Sequence, residues 1–260
     1  MYHYPTTKIN KKSEPIIFIH GTGMDHTVWT LPVRHYLRKK RDVISIDLPG
    51  HGKNKDKPLD SISKLSSYIY NFLDKHSIEN CSIVGHSMGS LIALEMASSH
   101  PSRVNAISMI GTAFPMQVNE ALLESAKSNP QAAINILTFM GYSYSSRLGG
   151  SKNPGMWMTE STKRLMQKSN KGVIYKDLKA CSQFDNGLEK ARNVTAKVQL
   201  ILGSNDFLTP RVKAQDLIDS FQDPLIEEVR GSGHSMICLL YTSDAADDTP
   251  CVDLGGRRII

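Results

Sequence analysis

The chain has 260 residues, 40% of them hydrophobic and 22% charged, with a formal net charge of +6. That length holds one large domain or two small ones, and the composition excludes a disordered or fibrous chain. No run of about 18 apolar residues occurs, so no membrane span is expected. The polar, lysine-bearing N-terminal stretch lacks the apolar core and cleavage site of a secretory leader, and the default compartment is the cytoplasm.

The positive balance raises nucleic acid as a partner class. The basic residues fall in short groups: Lys11 and Lys12, Arg34 with residues 38–41, then Lys53, Lys55 and Lys57. These sit near expected helix ends and in loops, where cations are solvated or face a helix C-terminus. No zinc-finger, helix-turn-helix or aromatic RNA-binding signature accompanies them, so no nucleic-acid partner is expected. The four cysteines (Cys81, Cys181, Cys238, Cys251) show neither CxxC spacing nor a metal pattern. Cys81 and Cys181 stand in apolar settings and read as buried small hydrophobes.

In chain order, the segment before Pro15 has room for about one strand. Pro15-Ile16-Ile17-Phe18-Ile19 is a continuous apolar run, which predicts a strand buried on both faces, and it ends at the glycine turn His20-Gly21-Thr22-Gly23. Residues 28–40 show helical spacing. Residues 43–48 predict a second strand, stopped by Pro49-Gly50-His51-Gly52. Residues 61–76 carry Ile62, Leu65, Ile69, Phe72 and Leu73 on one helical face. Residues 81–85 predict a third strand that runs at once into a helix over 87–99, and residues 104–110 predict a fourth. Strands alternating with helices imply an α/β fold: a mostly parallel sheet with helices on both faces.

The alternation stops over 117–193, which is helical or irregular and rich in Met, Ser, Asn and Gly. It resumes with a strand over 198–203, a helix over 211–220 and a last strand over 225–229. The expected organisation is a core of residues 1–116 and 194–237 with a helical cap, 117–193, inserted between two strands of one sheet. Residues 238–260 have no periodicity and no capping logic, and they resemble the translation of a sequencing-library adapter. They are therefore set aside as a non-native tail.

The strongest chemical signal is Gly85-His86-Ser87-Met88-Gly89, a G-x-S-x-G between a strand and a helix. The tight turn strains the serine backbone, and the flanking glycines remove side chains that would clash. Ser87 then sits at a helix N-terminus, where free N–H groups favour developing negative charge. The plainer reading is an N-cap serine. The His20–Gly23 turn supplies backbone N–H groups from the other side, so the expected oxyanion hole is the N–H of Met88 with that of Thr22. Asp206 follows the strand over 198–203, and His234 follows the last one. The order Ser, Asp, His is the one expected of a nucleophile-elbow fold.

On these motifs, with Asp47-Leu48-Pro49-Gly50-His51-Gly52, the sequence resembles the α/β-hydrolase superfamily over roughly residues 15–237. The resemblance implies Ser87 as nucleophile, His234 as general base and then acid, and Asp206 as the group orienting the imidazole. It departs from the pattern at both ends: the segment before Pro15 has room for about one strand rather than the usual hairpin, so a sheet one strand short is expected, and the tail stands where a helix usually follows the histidine loop.

Other residues are weighed on the same ground. Asp47 competes with Asp206 as the acid but more simply holds its adjacent loop. His86 is expected to point away from the site toward helix packing, His51 to stabilise its turn, His20 to bond backbone, and Trp29 to pack beneath the oxyanion loop. Gly21, Gly23, His26 and Trp157 are candidate substrate-binding residues, and Asp25 stands close enough in sequence to line the same pocket. Phe139, Met140, Met156, Trp157 and Met158 form either an apolar cap surface or the cap's own core.

No Walker loop, dinucleotide fingerprint or zinc set occurs, so no cofactor and no metal are expected. The expected partner is a small acyl substrate: a carboxylic ester, lactone or thioester cleaved through an acyl-enzyme on Ser87. Hydrolysis of a carbon–carbon bond by the same triad, or a non-catalytic ligand receptor on the same fold, are the alternatives.

Overall fold

The computed structural model describes residues 1–5, 14–148 and 157–237. The loop over 149–155, Met156 and the tail over 238–260 lie outside the described residues.

Among the described residues seven strands form one sheet: β1 (Tyr2–Tyr4), β2 (Ile16–Ile19), β3 (Val43–Asp47), β4 (Cys81–His86), β5 (Val104–Ile110), β6 (Lys197–Gly203) and β7 (Leu225–Val229). Their order is β1-β3-β2-β4-β5-β6-β7. β1 runs antiparallel to β3, with Tyr2 opposite Asp47, and every other pair is parallel. β2, β3 and β4 are buried at every position, which is why they read as continuous apolar runs rather than alternating ones. β7 carries Glu227 and Glu228 on its open edge, where charge discourages pairing with another chain.

The α-helices are α1 (Thr30–Arg38), α2 (Ile62–Lys75), α3 (Met88–Ser99), α4 (Glu120–Ser128), α5 (Pro130–Gly141), α6 (Tyr144–Arg147), α7 (Met158–Gln167), α8 (Val173–Ser182), α9 (Gly187–Arg192) and α10 (Gln215–Ser220). α2 starts where Ser61 accepts the Lys64 N–H, as an N-cap should. The helices expected over 28–40 and 211–220 each open as a 3-10 turn, His26–Trp29 and Arg211–Ala214. Asp25 caps the first turn by accepting the Thr27 N–H, and in the second the Lys213 N–H returns to Pro210.

One sheet face is covered by α2 and by α3, which is buried on nearly all sides, with Leu217 and Ile218 of α10 and Ala191 of α9 completing that core. The other face packs Phe18 and Val84 against Trp29, Val33, Tyr36, Met236 and Ile237. A third core lies among α4, α5, α7 and α8, with Leu122, Ile134, Leu137, Met166, Ile174 and Leu178 around Met24. α9, counted with the insertion from sequence, packs on α3 and α10 instead. Its Lys190 reaches Glu95 of α3 at 2.9 Å.

Candidate active site

β4 ends at His86, and α3 begins at Met88, so Ser87 alone makes the turn. Its φ is +53, a left-handed conformation that costs energy for any residue but glycine. The flanking glycines are sterically required. A Cβ on Gly85 would lie 2.1 Å from the Gly89 carbonyl oxygen, and one on Gly89 would lie 2.4 Å from that of Ile19. Ser87 makes no side-chain cap bond to α3, so the N-cap reading does not describe it. Its own N–H is held by the Ile110 carbonyl at 2.8 Å.

The hydroxyl-bearing turn opens into a cavity of about 290 Å³ lined by Ser87, His234, Thr22 and Thr209, and by apolar side chains including Met24, Leu122, Leu137, Met140, Met166 and Leu178. Thr22 follows β2, Ser87 follows β4, Thr209 follows β6 and His234 follows β7. The cavity therefore lies beyond the C-terminal ends of parallel strands, the expected ligand position in an open α/β sheet. Helices α4, α5, α7 and α8 supply most of its apolar wall.

His234 and Asp206 come from two adjacent strand ends. His234 Nδ1 donates to Asp206 Oδ2 at 2.8 Å, which leaves Nε2 without a proton in the neutral ring. Thr209 donates its hydroxyl to the same oxygen at 2.6 Å, and the N–H groups of Leu208 and Thr209 reach Oδ1 at 2.8 Å each. Burial alone would raise the Asp206 pKa. The nearby imidazole and these donors outweigh it and hold the carboxyl well below the usual carboxylate range. Gly111 makes room for the ring: it has φ +59, and a Cβ there would lie 3.1 Å from His234.

His86 does not turn toward the helix packing. It lines the cavity, and its Nε2 donates to the His234 carbonyl at 3.0 Å. Its Nδ1 is buried without a partner. Burial and the neighbouring His234 lower its pKa to about 3, so the ring is neutral. The loop that carries His234 also leans on α5: the Ser235 N–H reaches the Gly141 carbonyl at 2.8 Å.

Thr22 is buried and lines the cavity. Met88 is fully buried at the first position of α3, where N–H groups have no partner within the helix. Gly21 lies under Ser87: a Cβ would come 3.1 Å from the Ser87 Cβ. The Gly23 N–H is held by Asp177 at 2.9 Å. His26 faces away, with Nδ1 on Asp47 Oδ1 at 2.8 Å, and Trp157 is exposed. Gly21, Gly23, His26 and Trp157 are not among the cavity-lining residues. His20 accepts the Leu48 N–H and also bonds the Gly21 carbonyl. Trp29 packs on Phe18. Of the apolar set, Met140 lines the cavity, Met158 is buried, and Phe139 is exposed with Arg147 stacked on its ring 3.8 Å from the centroid.

Asp47 is fully committed elsewhere. It accepts both the backbone and ring N–H of His26 and the Lys53 N–H, and these donors hold its carboxyl below the usual range against the opposing effect of burial. Asp25, His26 and Asp47 bring one potential metal-ligating atom each within 4.8 Å of one another. The Asp25 carboxylate already accepts from Thr27, and Asp47 from His26. Among the described residues no helix is long and apolar enough to cross a membrane.

Asp177 was missed in the sequence. It lies far along the chain in a helix with no motif, and nothing local marks a buried carboxylate that meets the His20–Gly23 turn.

Residues 14–237 match the family model described as the alpha/beta hydrolase fold. A protein of Mycoplasma genitalium, named by assignment as an esterase/lipase, is 22% identical over 243 residues, covering 88% of this chain and 85% of its own. An esterase from Exiguobacterium antarcticum superposes with a TM-score of 0.77 at 18% identity over 90% of both chains. The enol-lactonase from Burkholderia xenovorans LB400 superposes with a TM-score of 0.76 at 16% identity, covering 90% of this chain and 88% of that one. These superpositions speak for the fold; the family model, which spans β2 to β7 and the helices around them, shows that the chain is an enzyme of the α/β-hydrolase fold family.

Proposed function

We propose that the protein is a serine hydrolase that cleaves a small carboxylic ester, lactone or thioester through an acyl-enzyme on Ser87. One observation carries the reading. Ser87, held at positive φ with no capping bond, shares a cavity with His234, whose ring is oriented by the buried Asp206. A serine kept in a strained turn without a structural bond fits a nucleophile.

In this mechanism Ser87 Oγ attacks the acyl carbon while His234 Nε2 takes its proton. The developing oxyanion is met by the N–H groups of Thr22 and Met88. Protonated His234 then gives its proton to the leaving alcohol or thiol. Water, activated by the same nitrogen, releases the acid. Asp206 stays ionised throughout and stabilises the imidazolium.

Residues 117–186 act as the cap of this site, and α9 belongs with the core. The wall that the cap supplies is apolar, which favours an acyl group with an uncharged aliphatic or aromatic chain. The free buried thiols of Cys81 and Cys181 suit a reducing compartment and support a cytoplasmic location.

A fluorophosphonate probe tests the reading: mass spectrometry should find the adduct on Ser87. A chain that stays unlabelled while folded would instead favour a non-catalytic ligand receptor on this fold.

A further inference from the structure

Helix α8 lies directly against the His20–Gly23 turn. Ile174, Asp177, Leu178 and Cys181 follow the spacing of one helical face, and each meets that turn or the cavity. A Cβ on Gly23 would lie 2.2 Å from Ile174 Cδ1. Asp177 Oδ2 accepts the Gly23 N–H at 2.9 Å. The Thr22 hydroxyl lies near the Cys181 thiol. Leu178 and Cys181 also line the cavity.

The Asp177 oxygen that holds Gly23 also receives His51 Nε2 at 2.9 Å, and His51 Nδ1 faces the Pro49 carbonyl at 3.1 Å. Both partners are acceptors, so the imidazolium form, with a hydrogen on each ring nitrogen, satisfies both. Burial works against that charge, but the Asp177 carboxylate and the two hydrogen bonds raise the His51 pKa overall. Asp47 adds to the raising effect. The facing His20, with ring centroids 4.7 Å apart, stays neutral because burial and His51 lower its pKa to about 3. His51 and Asp177 are both buried. Together they tie the turn after β3, the turn after β2 and helix α8 at one carboxylate.

We propose that Asp177 is a positioning residue for the reaction: by holding the Gly23 N–H and His51 from helix α8, it sets the direction of the Thr22 N–H in the oxyanion hole. The inference rests on the acyl-transfer reading above. Its physical basis is the planarity of the peptide unit. The Gly23 N–H belongs to the peptide that joins Thr22 to Gly23, so pinning it fixes that plane. Cys181, which lines the cavity beside Thr22, confines the side chain of the same residue. With both constrained, the preceding peptide, which carries the Thr22 N–H, has little freedom left. Oxyanion donors contribute to rate only when they are aimed before the charge develops. Helix α8 thus links the wall of the acyl cavity to the aim of one donor.

The test uses the full chain with Asp177→Asn, Asp177→Ala and Cys181→Ala, read by steady-state hydrolysis of p-nitrophenyl acetate and by hydrogen exchange over residues 19–25. The Asp177 variants should lose about tenfold to a hundredfold in kcat with KM within about twofold, because substrate binding is retained while a transition-state contact is misaimed. Exchange over 19–25 should accelerate in parallel. Cys181→Ala should move both readouts the same way by less. If Asp177→Ala does not fold, Asp177→Asn, which keeps the shape, carries the test with Cys181→Ala. A folded Asp177→Asn with unchanged kcat, or with unchanged exchange over 19–25, overturns the inference. Absence of ester turnover in the unmodified chain overturns the proposed function instead, and exchange still decides whether Asp177 holds the turn.

Discussion

His86 donates through Nε2 to the backbone carbonyl of His234, 3.0 Å away, with the two rings 4.9 Å between centroids. His86, the residue before Ser87, thus braces the loop that carries His234. His86→Ala should lower kcat on p-nitrophenyl acetate by up to about a hundredfold, since a small misplacement of the base is costly. His86→Gln, whose amide can donate along the same line, should recover part of the loss. Equal activity in His86→Ala and the unmodified chain would remove His86 from this role.

Ser87→Ala should abolish ester hydrolysis, by about a millionfold as for loss of a triad nucleophile, with a thermal midpoint close to that of the parent. The side chain makes no cap bond, so little stability is lost with it. Turnover with a folded variant at the parental rate would refute the assignment.

Asp206 and Asp47 should separate cleanly. Asp206→Asn should cut kcat by roughly ten-thousandfold, because the amide favours the wrong imidazole tautomer. Asp47→Asn should leave kcat within a few-fold and cost about 1–3 kcal/mol of stability, through donors from His26 and Lys53 left poorly met. Reversed effects on rate would assign the acid to Asp47.

Acid should loosen the fold through these same carboxyls. Both folded-state pKa values lie below the ordinary range. The stability they contribute is complete above the ordinary carboxylate pKa of about 3.9 and is lost as pH falls through the lower folded values. Denaturant midpoints between pH 5 and pH 2 should fall more steeply for the parent than for Asp47→Asn. Parallel curves would show that Asp47 carries no such linkage.

Met140 is half-buried and lines the cavity from α5. Met140→Phe should shrink the space and shift preference toward shorter acyl chains, which a panel of p-nitrophenyl esters from acetate to octanoate would read. An unchanged chain-length profile would exclude α5 from the acyl pocket.

The elbow was legible because its chemistry is local. Gly85 and Gly89 are required by contacts of 2.1 and 2.4 Å with backbone that any strand-turn-helix of this kind must make. Asp206 and His234 were legible for a related reason, since each immediately follows a strand in a parallel sheet, and such strand ends converge on one edge. His26 and Trp157 were less so. His26 was placed near the cavity by chain position and Trp157 by its apolar neighbours in the insertion, but a 3-10 turn points His26 at Asp47, and Trp157 stands in solvent.

Hydrophobic runs and their spacing thus determined, by themselves, most of the strands and helices of the core, that the sheet is mostly parallel, and where along the chain Ser87, Asp206 and His234 fall. Such features depend on neighbours within a few residues and on the period of burial. Only the tertiary structure decided that β1 pairs antiparallel with β3, that α9 leaves the insertion for α3, that His86 turns to the His234 carbonyl, and that Asp177 meets Gly23 and His51. Each of these contacts joins residues distant in sequence. Its partner is chosen by how helices settle on a sheet, which no local pattern encodes.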